Sequence, residues 1–341
     1  MTTLVTGASG FLGSHVARLL TERGDQVRVL LRPTSDARLL EGLPIERAPG
    51  DLRDTASLDA ALVGVTIVYH IAADYRLWAR DPREIYNANV QGTRNLLEAA
   101  GRAKVQKIVY TSTVGTVAVP KGGTLPDEST AASLDEMIGD YKRSKWLAEH
   151  EARKAAVAGL PVIIVNPTTP VGPGDAKPTP TGRIILDFLK GRMPAFVDTG
   201  LNFVPVEDAA LGHLLAAERG RAGERYILGG ENLTLKQVLA LISAASGRPA
   251  PRVRIPHMIA LVAAHAESLL SGLTGREPRI PLDGVRMARH SMFVNTAKAR
   301  RELGFSPGSV TAAVERAVRW YQSNGYVRFR SRADIATAHA A

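Results

Sequence analysis

The first half of the chain alternates short β-branched runs with stretches of helical period. Strand-like runs fall at 3–5, 27–31, 67–70, 107–111 and 162–165, and apolar residues recur with helical spacing over 13–23, 56–62, 90–103 and 141–158. Strands separated by helices read as βαβ units, which place the strands parallel in one sheet with right-handed crossovers. The uninterrupted apolar run VIIV at 162–165 suits a strand covered on both faces. The predicted fold class is therefore α/β, a doubly wound parallel sheet with a smaller C-terminal lobe.

The second half changes character. Residues 167–180 are rich in Pro, Thr and Gly and predict a long loop. Helical periods follow at 183–190, 207–218, 235–245 and 310–323. The expected division is a nucleotide-binding unit over 1–166, to which 204–228 returns, and a substrate lobe from 167–203 and 229–327. A polar, Ala-rich tail over 328–341 is expected to fray. Residues 257–270 are apolar but too short to span a bilayer, and they include His265 and Glu267. They predict an amphipathic helix buried in the second lobe; the alternative is a surface that rests on a membrane or meets a lipid-like substrate. The N-terminus has no basic segment or cleavage site of the signal-peptide kind, so a cytoplasmic protein is expected.

Composition narrows the chemistry. There are no cysteines, which removes disulfides, thiolate nucleophiles and Cys-bound zinc. None of the eight histidines has metal-ligand spacing with a carboxylate, and no metal is expected. The net charge of +10 comes from basic residues scattered along the chain, and aromatics make up only 5%. That pattern argues against nucleic acid and fits a bound anionic cofactor.

The opening TLVTGASGFLGSHVARLL reads strand, glycine turn, helix. Gly7 permits the turn, Gly10 lets backbone approach a pyrophosphate, and Gly13 lets helix pack on strand. The N–H groups around Phe11, Leu12 and Gly13 then face the phosphates, with the positive end of the helix behind them. The context is that of a Rossmann dinucleotide site. An NAD-preferring site places an acid at the end of the second strand to hold the ribose diol. Here Leu31 stands there and Arg32 follows, with Thr34, Ser35 and Arg38 nearby. A guanidinium can pair with a 2′-phosphate, so NADP(H) is the expected cofactor, with NAD(H) as the alternative.

A second constellation is YKRSK, which puts Tyr141 and Lys145 at i and i+4 on one helix face. A tyrosine is a poor base at neutral pH unless a neighbouring cation stabilises its phenolate. The pair follows a strand ending in TSTVGT, whose hydroxyls can hold a substrate oxygen.

In order and spacing, TGASGFLG, GDL at 50–52, HIAA at 70–73, NVQGT at 89–93, TSTVGT, YKRSK, NPTTPVGPGD at 166–175, VPVEDAALGHLLA at 204–216 and NTAKARRELGFSP at 295–307 resemble the extended short-chain dehydrogenase/reductases. The resemblance runs to about residue 327. It implies a catalytic trio of Thr113, Tyr141 and Lys145, with Ser112 beside Thr113. It implies that Asp51 and Leu52 meet the adenine, that Ala72, Ala73 and Thr111 line the cofactor, and that Pro167 and Val171 face the nicotinamide. Asn89 is implied to steady the cofactor wall, with helix capping as the alternative. His70 reads as structural. For substrate, the expected walls are Tyr75, Trp78, Thr168, Thr169 and the loop over 177–183; Asn166 resembles the residue that holds a pyrophosphate in nucleotide-sugar epimerases. Arg76 and Arg80 are either anion contacts or surface charges.

Two branches compete. Arg32 and TSTVGT resemble dihydroflavonol 4-reductases and related NADPH carbonyl reductases, whereas 72–95 and 165–189 resemble, more closely, the hopanoid-associated sugar epimerases. The implied activity is hydride transfer at a carbinol or carbonyl carbon with Tyr141 as acid/base, on a sugar-like or hopanoid-pathway substrate or on an aldehyde or ketone. A non-catalytic NADP sensor is the reading of another class. The resemblance also implies a homodimer packed through 90–103 and 141–158.

Overall fold

A computed structural model describes residues 1–117 and 124–327. The tail over 328–341 lies outside the described residues. The chain begins with β1 (Thr2–Thr6), α1 (Phe11–Glu22), β2 (Gln26–Leu31), β3 (Ile45–Pro49), α2 (Thr55–Ala61) and β4 (Val65–His70). After α3 (Arg83–Tyr86) a π-type turn at Asn87–Gln91 leads straight into α4 (Gly92–Arg102). Then come β5 (Lys107–Thr111), α5 (Gly139–Val157), β6 (Val162–Pro167) and β7 (Thr169–Val171).

The second half holds α6 (Pro180–Leu189), β8 (Ala195–Phe196), β9 (Gly200–Pro205), α7 (Val206–Arg219), β10 (Arg225–Leu228) and β11 (Glu231–Thr234). It closes with α8 (Leu235–Ser246), β12 (Val253–Arg254), α9 (His257–Thr274), α10 (Leu282–Met287), α11 (Ala297–Leu303) and α12 (Val310–Ser323). Several helices start where the sequence provides a cap. Asp54 accepts from the Ala56 and Ser57 N–H groups, and Thr234 and Gln237 bond reciprocally across the first turn of α8.

Seven parallel strands form the central sheet in the order β10-β6-β5-β4-β1-β2-β3, a Rossmann-like arrangement. The order reverses between β1 and β4, and a crevice at such a reversal is where open α/β sheets take their ligands. Helices α1, α7 and α11 pack one face through Val16, Ala17, Leu20, Ala210 and Leu303. On the other face α2, α4 and α5 pack through Leu58, Leu96, Ala100, Ala148 and Ala152. Every residue of β6 is buried, as the VIIV run predicts. A third apolar cluster joins α6, α8 and α12 to the small sheet β11-β9-β7 through Ile185, Leu239, Val314 and Phe203.

Strand β7 falls inside the loop expected over 167–180, and strands β8 to β12 add to the expected runs. Two further differences have a plain physical reason. Strand β3 has the sequence IERAP, with no apolar alternation. It lies at the sheet edge, where charge and proline discourage pairing with another chain. Helix α9 is not buried: it packs inward through Ala260, Ala264 and Ser271 and turns its larger apolar side chains to solvent. Among the described residues no helix is long and apolar enough to cross a membrane.

Candidate active site

The glycine turn is built by contact as well as by backbone conformation. Gly7 has φ of +73°, and a Cβ there would come within 2.5 Å of the Ala72 nitrogen, so the turn sits directly on the end of β4. A Cβ on Gly13 would collide with the Gly7 carbonyl, which lets α1 start hard against the turn. The Gly10 N–H closes the turn on the Gly7 carbonyl at 3.0 Å. No side chain caps α1 and no acid stands in its first turn, so its N-terminal dipole faces outward uncompensated. These features fit the pyrophosphate of a dinucleotide, with Phe11, Leu12 and Gly13 at the helix start.

At the end of β2, Arg32 is exposed. Asp51 accepts from Arg53 at 2.7 Å, and this bond, with a smaller contribution from Arg32, holds its carboxyl down at about 2. Arg38 is engaged with Asp36 at 2.7 Å. Leu52 presses on Gly92 and its carbonyl accepts from Asn95 at 2.8 Å, which fixes the segment after β3 to α4.

The loop after β4 is clamped by Asn89. Its Oδ1 accepts from the Asp74 N–H at 2.7 Å, and its Nδ2 donates to the Asp74 carbonyl and to Ser144 Oγ, each at 2.9 Å. Asn89 is 1% exposed and sits within the π-type turn. It ties the 72–75 segment to α5 and caps no helix. Ala72 donates to Thr6 Oγ1 at 3.3 Å, while Ala73 is exposed. His70 bridges Thr6 at 2.8 Å and Thr93 at 3.0 Å, and burial pushes its pKa down to about 3; it is a neutral strut.

Thr113, Tyr141 and Lys145 come together at the C-terminal end of β5 and the start of α5. Burial raises the Tyr141 phenol above its ordinary value, and the Thr113 hydroxyl beside it pulls the other way. Thr113 Oγ1 also accepts from the Gly115 N–H at 3.1 Å. Lys145 is 2% exposed and donates to the Thr111 carbonyl at 2.8 Å and to Tyr110 Oη at 3.1 Å. Burial lowers its pKa to about 7, while Glu149 one turn further along opposes the shift. The expected direct support of Tyr141 by the ammonium is thus not the bond the side chains make. β5 ends at Thr111, and its buried carbonyl takes the ammonium instead.

Periodicity and motif do not single out Glu149. It lies eight residues after Tyr141 and four after Lys145, and it is 4% exposed. Ser112 and Thr116, on either side of Thr113, donate to it at 2.6 and 2.7 Å, Asn166 at 3.0 Å and Arg153 at 2.8 Å. Arg225 stands 3.4 Å away. Multiple donors and cations keep its carboxyl below the usual range despite burial. The only sequence trace of this role is its place on the face shared with Tyr141 and Lys145.

Several expected contacts point elsewhere. Asn166 is fully buried, and its Nδ2 serves Glu149, Thr116 and the Thr113 carbonyl, so it is a strut of the 112–116 loop and does not reach into the crevice. Thr111 Oγ1 bonds His213 at 3.0 Å and leaves only its carbonyl to the site. Thr168 turns back to the Leu228 carbonyl, and Val171 packs in the third apolar cluster. Pro167 closes β6, buried. Tyr75 Oη donates to the Lys177 carbonyl at 3.0 Å and so joins two expected substrate walls; Trp78 is half-buried nearby. Arg76 is already paired with Asp74 at 2.6 Å and Glu84 at 2.8 Å, whereas Arg80 is exposed. Thr169 pairs with Phe203 in the small sheet.

Comparison with known proteins agrees with this geometry. The sequence model of the NAD dependent epimerase/dehydratase family matches residues 3–229. A dihydroflavonol 4-reductase-like protein of Synechocystis is 45% identical over 95% of both chains. Sterol demethylase protein B of Methylococcus capsulatus is 41% identical over 96% of this chain and all of its own. Among solved structures, a nucleoside-diphosphate-sugar epimerase from Pseudomonas aeruginosa superposes with a TM-score of 0.80 at 30% identity, over 96% of this chain and 99% of that one. With its sheet order, glycine turn and matched length, this chain is an enzyme of the NAD dependent epimerase/dehydratase family, of the extended short-chain dehydrogenase/reductase type.

Proposed function

We propose that this enzyme is an NADP(H)-dependent oxidoreductase acting at the carbonyl or carbinol carbon of an apolar, non-nucleotide substrate. The observation that carries the reading is the convergence of Thr113, Tyr141 and Lys145 beside the glycine turn at the carboxyl edge of the sheet. The bound nicotinamide supplies or accepts the hydride. Gly7, Gly10, Phe11, Leu12 and Gly13 hold the pyrophosphate, Asp51 and Leu52 the adenine side, Arg32 the 2′-phosphate, and Ala72, Ala73 and Pro167 the flanks. Thr113 holds the substrate oxygen. Tyr141 gives that oxygen a proton in reduction, or takes one in oxidation. Lys145, one turn from the phenol, favours the phenolate when it is protonated, and Glu149 fixes the Thr113 loop through Ser112 and Thr116.

The choice of substrate class rests on Asn166, whose amide nitrogen is consumed by Glu149 and Thr116 and is not offered to a diphosphate. Two relatives point the same way, since their names speak of dihydroflavonol reduction and of sterol demethylation. The likeness to a nucleoside-diphosphate-sugar epimerase favours a second reading, epimerisation with the cofactor retained. In either reading 1–166 with 204–228 would hold the cofactor, 167–203 with 229–327 would hold the substrate, and two copies would pair through α4 and α5.

Tyr141→Phe tests the chemistry. The expected outcome is a loss of about 10²- to 10⁴-fold in kcat/KM with the Kd for NADPH unchanged. Turnover that survives the substitution overturns the mechanism. NADP that exchanges freely during purification favours net reduction, and NADP that stays bound favours epimerisation.

A further inference from the structure

Helix α9 is built inside out. Its buried positions are the small ones, Ala260, Ala264 and Ser271. Met258, Ile259, Val262, Leu269, Leu270 and Leu273 stand 57 to 86% exposed. At 100° per residue these six fall within one arc of about 120°, with Ala266 among them, opposite the three buried positions. Val253, just before the helix, and Ile280, just after it, are exposed as well. Scattered apolar side chains on a surface need no explanation, but a contiguous stripe along an 18-residue helix does.

Charge identifies the occupant. Between positions 248 and 290 the sequence has seven arginines and no lysine, against the three acids Glu267, Glu277 and Asp283. Arg252, before the N-terminal end of the helix, and Arg276 and Arg279, beyond its C-terminal end, are exposed, and their guanidinium groups have no carboxylate partner among the described residues; only the Arg279 main-chain N–H meets one, Glu267 at 3.2 Å. An apolar stripe with guanidinium groups at both ends matches the interface of an anionic bilayer, where apolar side chains enter the acyl boundary and arginines meet phosphates. The helix is also anchored firmly enough to transmit docking. His257 Nε2 bonds the Val285 carbonyl of α10 at 2.7 Å, and Asp283 of α10 packs against Gly139 at the start of the helix that carries Tyr141.

We propose that α9 is a docking face for anionic lipid membrane, which it enters by its Met258–Leu273 stripe while remaining folded against α10. The inference stands on surface chemistry and does not depend on the reaction assigned to Tyr141.

The test is co-sedimentation of the full chain with vesicles of phosphatidylcholine alone and of phosphatidylcholine with phosphatidylglycerol. The expected result is binding to the anionic vesicles, weakened about tenfold or more by L269S/L273S and by R276Q/R279Q, and reduced in high salt. Because all four positions are exposed, circular dichroism and the Kd for NADPH should not move. Wild-type protein that stays in the supernatant overturns the proposal, as does binding indifferent to both double variants. A second copy as the occupant would show as an oligomer that L269S/L273S dissociates without any lipid dependence, and that result overturns it too.

Discussion

At the residue scale the helix that carries Tyr141 holds two lysines whose charge is costly. Burial lowers Lys145 to about 7 and Lys142 to about 8, well below an unfolded lysine near 10.5. Between those limits the unfolded chain binds more protons than the folded one, so stability should rise with pH from about 7 towards 10. Urea unfolding across that range is expected to show a gain on the order of a few kcal/mol, smaller in Lys145→Met. A flat profile in wild type would mean that Lys145 stays charged in its pocket. Arg32 carries a second prediction at this scale. Arg32→Asp should lower the NADP/NAD ratio of kcat/KM by about ten- to a hundredfold, through loss of a phosphate partner and gain of repulsion. An unchanged ratio would leave the 2′-phosphate to another residue. The trio Thr113, Tyr141 and Lys145 was legible because motif spacing encodes it directly. Glu149 and the inward turn of Asn166 were not, since both depend on how β5, β6 and α5 face one another in space.

Periodicity located elements well wherever one face of a helix meets a core. Helix α12 matches its expected range, and α5 and α7 differ from theirs by a residue or two at each end. Strand β3 escaped because an edge strand can be charged and proline-ended without penalty. Apolar content predicts a buried α9 because it does not say which side of the helix is covered; the small residues Ala260, Ala264 and Ser271 on its buried side are the informative ones. The join of turn and helix at the start of α1 gives the sharpest prediction at this scale. Gly13→Ala puts a methyl into the Gly7 carbonyl, a backbone atom that cannot rotate away. The expected cost is about 3 kcal/mol in urea unfolding, with a matching loss of NADPH affinity by titration, because α1 must lift off the turn. Gly24→Ala separates crowding from backbone strain: its Cβ would meet nothing within 4 Å but its φ is +86°, whereas Gly13 is crowded without a positive φ.

For the whole molecule, the sheet order has a consequence in time. The buried strand β6 pairs on its outer side with β10, which follows only after β7, α6, β8, β9 and α7 have been made. Roughly sixty residues separate the two strands, and at ribosomal rates of about 5–20 residues per second the gap lasts roughly 3 to 12 seconds. Throughout it, an apolar edge of four isoleucines and valines has exited the ribosome with one side unpaired. A chain cut after Leu189 should therefore be recovered in aggregates on expression, and one cut after Val327 should be soluble; a soluble 1–189 fragment would show that β6 finds another cover. The nascent chain carries an open template for wrong pairing until the first half of the sheet is completed from the second half of the gene, so a substitution as far away as Tyr226 or Ile227 can limit yield without touching the finished enzyme's chemistry.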